Sequence, residues 1–123
     1  MILFVDINDV FRAPMAAYWY QTISGIPAHS AGVYAQEHSC LCDAVRPQEL
    51  DGYFSEQISD TMMKKADKIY CVTASVAEHL KEEYPQYKHK IYVMENIEDP
   101  IGMGRNGYAQ YANDIRTRVE DLL

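Results

Sequence analysis

The apolar residues of this chain fall into short unbroken runs that alternate with stripes at helical spacing. Ile2 to Val5 is the first run, four apolar residues with two β-branched members and no alternation, the pattern of a strand covered on both faces in a parallel sheet. Six polar or mixed residues, Asp6 to Phe11, end it. Arg12-Ala13-Pro14 then opens a segment whose Met15, Trp19, Thr22 and Ile23 recur at helical spacing, with Pro14 in the first turn, where a missing N–H costs nothing. Ser24-Gly25-Ile26-Pro27 stops that helix. Strand, tight loop and helix N-terminus together make the backbone geometry of an anion cradle, which would span Ile7, Asn8, Asp9, Val10, Phe11, Arg12 and Ala13.

Further along, residues 28 to 33 fit a second strand, and the stretch from Tyr34 to Gly52 is poorly patterned, with a short helix between Cys42 and Leu50 broken at Pro47. A short helix is expected over Ser59 to Ala66 with Ser59 as its N-cap, followed by a strand over 68 to 73. Ser75-Val-Ala-Glu78 reads as a capping box opening a helix that buries Val76, Leu80 and Tyr84. A strand over 90 to 94 follows, then a C-terminal helix with the stripe Tyr108, Tyr111, Ala112, Ile115, Val119 and Leu122. Strands alternating with helices predict an α/β fold, a four-stranded parallel sheet with helices on both faces. Asp6 falls at the carboxyl end of the first strand, where ligands of such sheets bind.

A length of 123 residues supports one domain, residues 1–123. The formal charge of −7 argues against nucleic-acid or anionic-membrane partners. No apolar run approaches the roughly 18 residues of a membrane span and no basic-flanked leader precedes the first strand, so a cytoplasmic location is expected. Three cysteines, Cys40, Cys42 and Cys71, do not make a disulfide framework. Cys71 lies in a strand pattern and reads as a buried small hydrophobe. Cys40 and Cys42 beside His38 and Asp43 form a local cluster without a second half, a weak zinc signal, so neither metal nor cofactor is expected.

The frame Val5-Asp6-Ile7-Asn8-Asp9-Val10-Phe11-Arg12-Ala13-Pro14-Met15-Ala16 resembles the low-molecular-weight protein tyrosine phosphatases, whose loop carries a nucleophilic cysteine, five residues, then arginine and Ser-Pro-Met-Ala. Spacing, Arg12 and Pro-Met-Ala match. Asp6 stands at the cysteine position, Asn8 at a glycine, Asp9 at an asparagine and Ala13 at a serine. Ser30-Ala31-Gly32 matches the end of the family's second strand, Tyr53-Phe-Ser-Glu-Gln-Ile-Ser59 its His-x-Ser-x-Gln-Leu-Thr segment, and Asp99-Pro100 the loop that supplies its general acid. The resemblance implies the family's fold, a supporting role for Ser30, and a Tyr53 hydroxyl that donates to Asp9 where the family has histidine and asparagine. Ile101 and Gly102 replace the aromatic residues that follow Asp-Pro in many members, which weakens phenyl-ring recognition.

In that family the thiolate attacks phosphorus, the arginine and loop amides hold the oxygens, and the aspartate protonates the leaving group, a division of labour that here leaves Arg12 and Asp99 without a nucleophile. Loss of a nucleophile in comparable enzymes lowers turnover on the order of a million-fold. Two charges about 4 Å apart interact by roughly 4 kcal/mol at a surface-like dielectric, so Asp6 and Asp9 oppose an incoming phosphate. The expected function is therefore a catalytically dead or strongly impaired phosphatase-like protein acting as a binding or regulatory module, its former cleft holding a protein partner or a weak anion. The alternative is an active phosphotyrosine phosphatase or arsenate-reductase-like enzyme using Asp6, Arg12 and Asp99. Without a phosphate, Arg12 is expected to pair with Asp6, Asp9 or both and to lower their pKa values unless burial outweighs it.

A superficial resemblance to the haloacid-dehalogenase phosphatases, in Ile2-Leu-Phe-Val-Asp6-Ile-Asn8, fails at Asn8, where that family has a second acid, and leaves Arg12-Ala-Pro-Met unexplained.

Overall fold

The computed structural model describes residues 1–94 and 97–123. Its elements are β1 (Ile2–Asp6), α1 (Arg12–Ser24), β2 (Ala28–Gly32), α2 (Asp60–Lys65), β3 (Lys68–Cys71), α3 (Ala74–Glu83), β4 (Ile91–Val93) and α4 (Gly104–Leu122). All strand pairs are parallel and the order is β2-β1-β3-β4, which puts β1 in the interior of the sheet. Ile2 stands opposite Ala28 on one side and Lys68 on the other.

Every residue of β1 is buried, and its side chains divide between two cores as the pleat requires. Ile2 and Phe4 pack with Met15, Ala16 and Tyr20 of α1 and with Tyr108, Ile115 and Val119 of α4. Leu3 and Val5 pack with Met63 of α2, with Ile69 and Cys71 of β3, and with Val76 and Leu80 of α3. At about 1.5–3 kcal/mol for each large apolar side chain withdrawn from water, these two layers hold the loop after β1 from both sides.

Three details depart from the sequence reading. Thr22 and Ile23 of α1 are exposed, because the helix is clasped between the sheet and α4 and buries Ala13, Met15, Ala16, Ala17 and Tyr20 instead. The N-cap of α3 is Thr73, whose Oγ1 accepts from the Val76 amide, so Ser75 lies inside the helix and no capping box forms at Ser75. Between Pro47 and Asp51 there is only a single 3-10 turn, Gln48–Leu50. Ser59 does cap α2, accepting from the Met62 amide, and Gly25 closes α1 in the left-handed conformation at φ 76°.

Candidate functional site

The loop between β1 and α1 is organised by its own first residue. Asp6 ends β1 with its side chain buried, and its carboxylate reaches across the loop: Oδ1 accepts from the Asp9 amide at 2.6 Å and Oδ2 from the Ala13 amide at 2.9 Å. Ala13 lies in the first turn of α1, and Phe11 at the N-cap position provides no side-chain cap. A carboxylate seven residues upstream therefore satisfies a donor at the helix N-terminus, where negative charge is favoured.

Asp9 is the second anchor. It adopts φ 56°, a left-handed conformation that aspartate tolerates better than most residues. Its Oδ2 accepts from the Tyr53 hydroxyl and, at 2.8 Å, from the Glu56 amide, and its carbonyl accepts from Ser55 Oγ at 2.7 Å. Tyr53 is held in turn by Ser30 at 2.6 Å. Asp9 Oδ1 is buried without a partner among the described residues. Gly32 completes this wall, because a Cβ there would stand 2.6 Å from the Ile7 carbonyl oxygen and 3.0 Å from the Asp9 amide nitrogen.

Burial raises both carboxyls. Asp6 is pushed up to about 6, opposed by the Ala13 amide and then by the Arg12 charge. Asp9 is pushed up to about 7, first by burial and then by the charge on Asp6. Burial thus outweighs the lowering by Arg12, the exception the expectation had allowed, since removing the carboxylates from water costs more than the cation returns. Tyr53 is driven well above the ordinary phenol value by burial and by Asp9, so it acts as a donor.

Arg12 is buried and takes its hydrogen bond and its nearest charge from neither acid. Its Nη1 donates to the Ile97 carbonyl at 3.1 Å, and its Nη2 lies 3.8 Å from Asp99 Oδ2. No ion pair joins it to Asp6 or Asp9 among the described residues, contrary to the sequence expectation. Backbone amides already occupy both oxygens of Asp6, and Asp9 faces Tyr53, so the guanidinium meets the segment after β4 instead. Asp6, Asn8, Val10, Phe11, Arg12 and Asp99, with Ile101 and Tyr108, enclose a cavity of about 40 Å³, room for a few waters. Asn8 is exposed in its wall and the neighbouring Ile7 is exposed as well, while Phe11 packs edge-on against Tyr108 at 4.9 Å.

The structure therefore gathers Asp6, Arg12 and Asp99 around one small cavity, with the Ala13 amide bonded to Asp6, and joins Asp9, Ser30 and Tyr53 in one hydrogen-bonded chain. Sequence reasoning missed Ser55, the Glu56 amide and the Ile97 carbonyl. Ser55 lies in a segment already matched to the family, but backbone donors and acceptors carry no side-chain signal. Sequence reasoning weighed Cys40 only as a metal ligand and passed over its spacing to Arg46, which is the cysteine-to-arginine spacing of the family's loop. There Arg46 pairs with Asp43 at 2.7 Å and Asp51 at 3.4 Å, lies 3.8 Å from Cys40 Sγ, and follows a turn rather than a buried strand. No group of three or more His, Cys, Asp or Glu among the described residues is placed to hold a metal.

This architecture is the low-molecular-weight protein tyrosine phosphatase fold. The chain superposes on a YwlE mutant from Bacillus subtilis with a TM-score of 0.87 at 19% identity, covering 98% of this chain and 94% of that one. It matches the YwlE arginine phosphatase from Geobacillus stearothermophilus with a TM-score of 0.86 at 25% identity, over 98% and 88%. The tyrosine phosphatase Wzb from Escherichia coli K30, solved with phosphate, gives 0.86 at 16% identity, again over 98% and 88%. No protein-family model and no curated relative matches the sequence. No helix among the described residues is long and apolar enough to cross a membrane.

Proposed function

We infer that this protein is a phosphatase-fold binding or regulatory module whose own carboxylate has replaced the nucleophile. One observation carries the reading: Asp6 binds the Asp9 and Ala13 amides of its own loop, so an anionic side chain already occupies donors that a phosphoryl group would need. The small volume above it and the turning of Arg12 to Ile97 agree with this. The former cleft then serves a protein partner or a weak anion, and a cytoplasmic setting suits the three free cysteines.

The second reading, an active phosphatase or arsenate-reductase-like enzyme using Asp6, Arg12 and Asp99, is favoured by those three side chains lining one cavity. Hydrolysis of an aryl phosphate separates the two. The unmodified protein is expected to show no turnover sensitive to alkylation of Cys40, Cys42 or Cys71. Asp6→Cys alone should be nearly inert, because Asp9 still opposes phosphate and Ala13 cannot stabilise a thiolate. Asp6→Cys combined with Asn8→Gly, Asp9→Asn and Ala13→Ser should gain measurable turnover. Appreciable activity in the wild type that disappears in Asp6→Ala would reverse the conclusion and make Asp6 a working group.

A further inference from the structure

A second cavity lies away from the loop site. A groove of about 610 Å³ lies between α1, the start of β2 and residues 49–56, within the range of small-ligand sites. Tyr18 and Phe54, 38% and 52% exposed, present aromatic surface there, joined by the half-buried Tyr53. Glu49 and Glu56 supply two carboxylates, and among the described residues no lysine or arginine lines the groove. His29, the one basic group in its wall among the described residues, stands 4.0 Å from Glu56. Glu49 has no ion-pair partner among the described residues.

We propose that this groove is a binding site for an organic cation, a guanidinium or ammonium group on an apolar stem. Aromatic faces attract a cation through their quadrupoles, carboxylates complete its charge, and the apolar stem covers the ring surface. An anionic ligand would meet two like charges and no fixed cation, which the same lining excludes. The site is wired to the loop. Ser30 and Tyr53 line the groove, and the Tyr53 hydroxyl donates to Asp9, so a ligand that shifts Tyr53 alters the support of the loop after β1. This goes beyond the cleft reading and stands whether or not that cleft binds a partner.

The test is titration of the full chain with agmatine, and separately with a short peptide bearing one arginine among serines, followed by calorimetry and by NMR of the Tyr18, Tyr53 and Phe54 rings. Saturable binding that shifts those rings is expected, with the stronger of the two probes identifying a free amine or a partner's side chain as the source. Each carboxylate removed should weaken binding about fivefold, so Glu49→Gln with Glu56→Gln gives about 25-fold, the size that half-exposed ion pairs support. Both are surface positions, and circular dichroism checks that the fold is retained. Asp99→Asn should leave the affinity unchanged. Absence of saturable binding by either probe, binding undiminished in the double variant, or binding lost in Asp99→Asn instead would each overturn the assignment.

Discussion

Asp9→Asn isolates the energetic consequence of burying a second acid behind the loop. Asp9 moves from an ordinary 3.8 in the unfolded chain to about 7 in the fold, with burial as the main cause. A carboxyl whose folded value is raised binds its proton more tightly when folded, so it stabilises below the unfolded value, and that contribution is lost as pH climbs to the folded one. The window runs from about pH 4 to pH 7. At about 1.4 kcal/mol per pH unit the full loss is about 4 kcal/mol, of which about 2 kcal/mol falls between pH 5 and pH 7. Asparagine accepts the left-handed backbone and can keep the bonds from Tyr53 and the Glu56 amide, but places an amide where Oδ1 has no partner, at about 1–3 kcal/mol. Urea unfolding of both proteins at pH 5 and pH 7 reads the difference. The variant should gain about 2 kcal/mol relative to wild type between the two pH values, whatever its absolute stability. A wild type-to-variant gap that does not change with pH would refute the reasoning and place the ionisation elsewhere.

Other expectations follow from neighbouring contacts. Tyr53→Phe deletes the hydroxyl donor to Asp9 and should cost about 1.5–3 kcal/mol at pH 8, where that carboxyl is ionised, and less at pH 5; equal losses in thermal melts at both pH values would contradict the shared hydrogen bond. Gly32→Ala drives a methyl to 2.6 Å from the Ile7 carbonyl and should destabilise by about 1–3 kcal/mol, which an unchanged melting temperature would disprove. Cys40 and Cys42 are exposed, whereas Cys71 is buried with its thiol pushed up to about 12, so a thiol reagent should label two sites quickly and the third only on unfolding.

The sheet and its helices were legible because the signals are local and strong. An unbroken Ile2–Val5 run cannot be amphipathic, and a helix stripe such as Ile115 and Val119 fixes which face goes inward; both held, as did Gly25 and Ser59 at helix ends. The position of Asp6 at the carboxyl end of a central strand likewise followed from the order of elements. What tertiary structure alone decided was where charges and donors turn. Arg12 was expected on Asp6 or Asp9, yet the Asp9 and Ala13 amides had already taken Asp6, and the partner Arg12 found, the Ile97 carbonyl, lies 85 positions away and has no side-chain signature. The pKa directions of both acids depended on depth of burial, which a loop sequence rich in polar residues does not display. Spacing also says nothing about setting: Arg12 and Arg46 each stand six positions after the residue at a loop's start, but only the first follows a strand buried on both faces, because only there do two cores close over the chain.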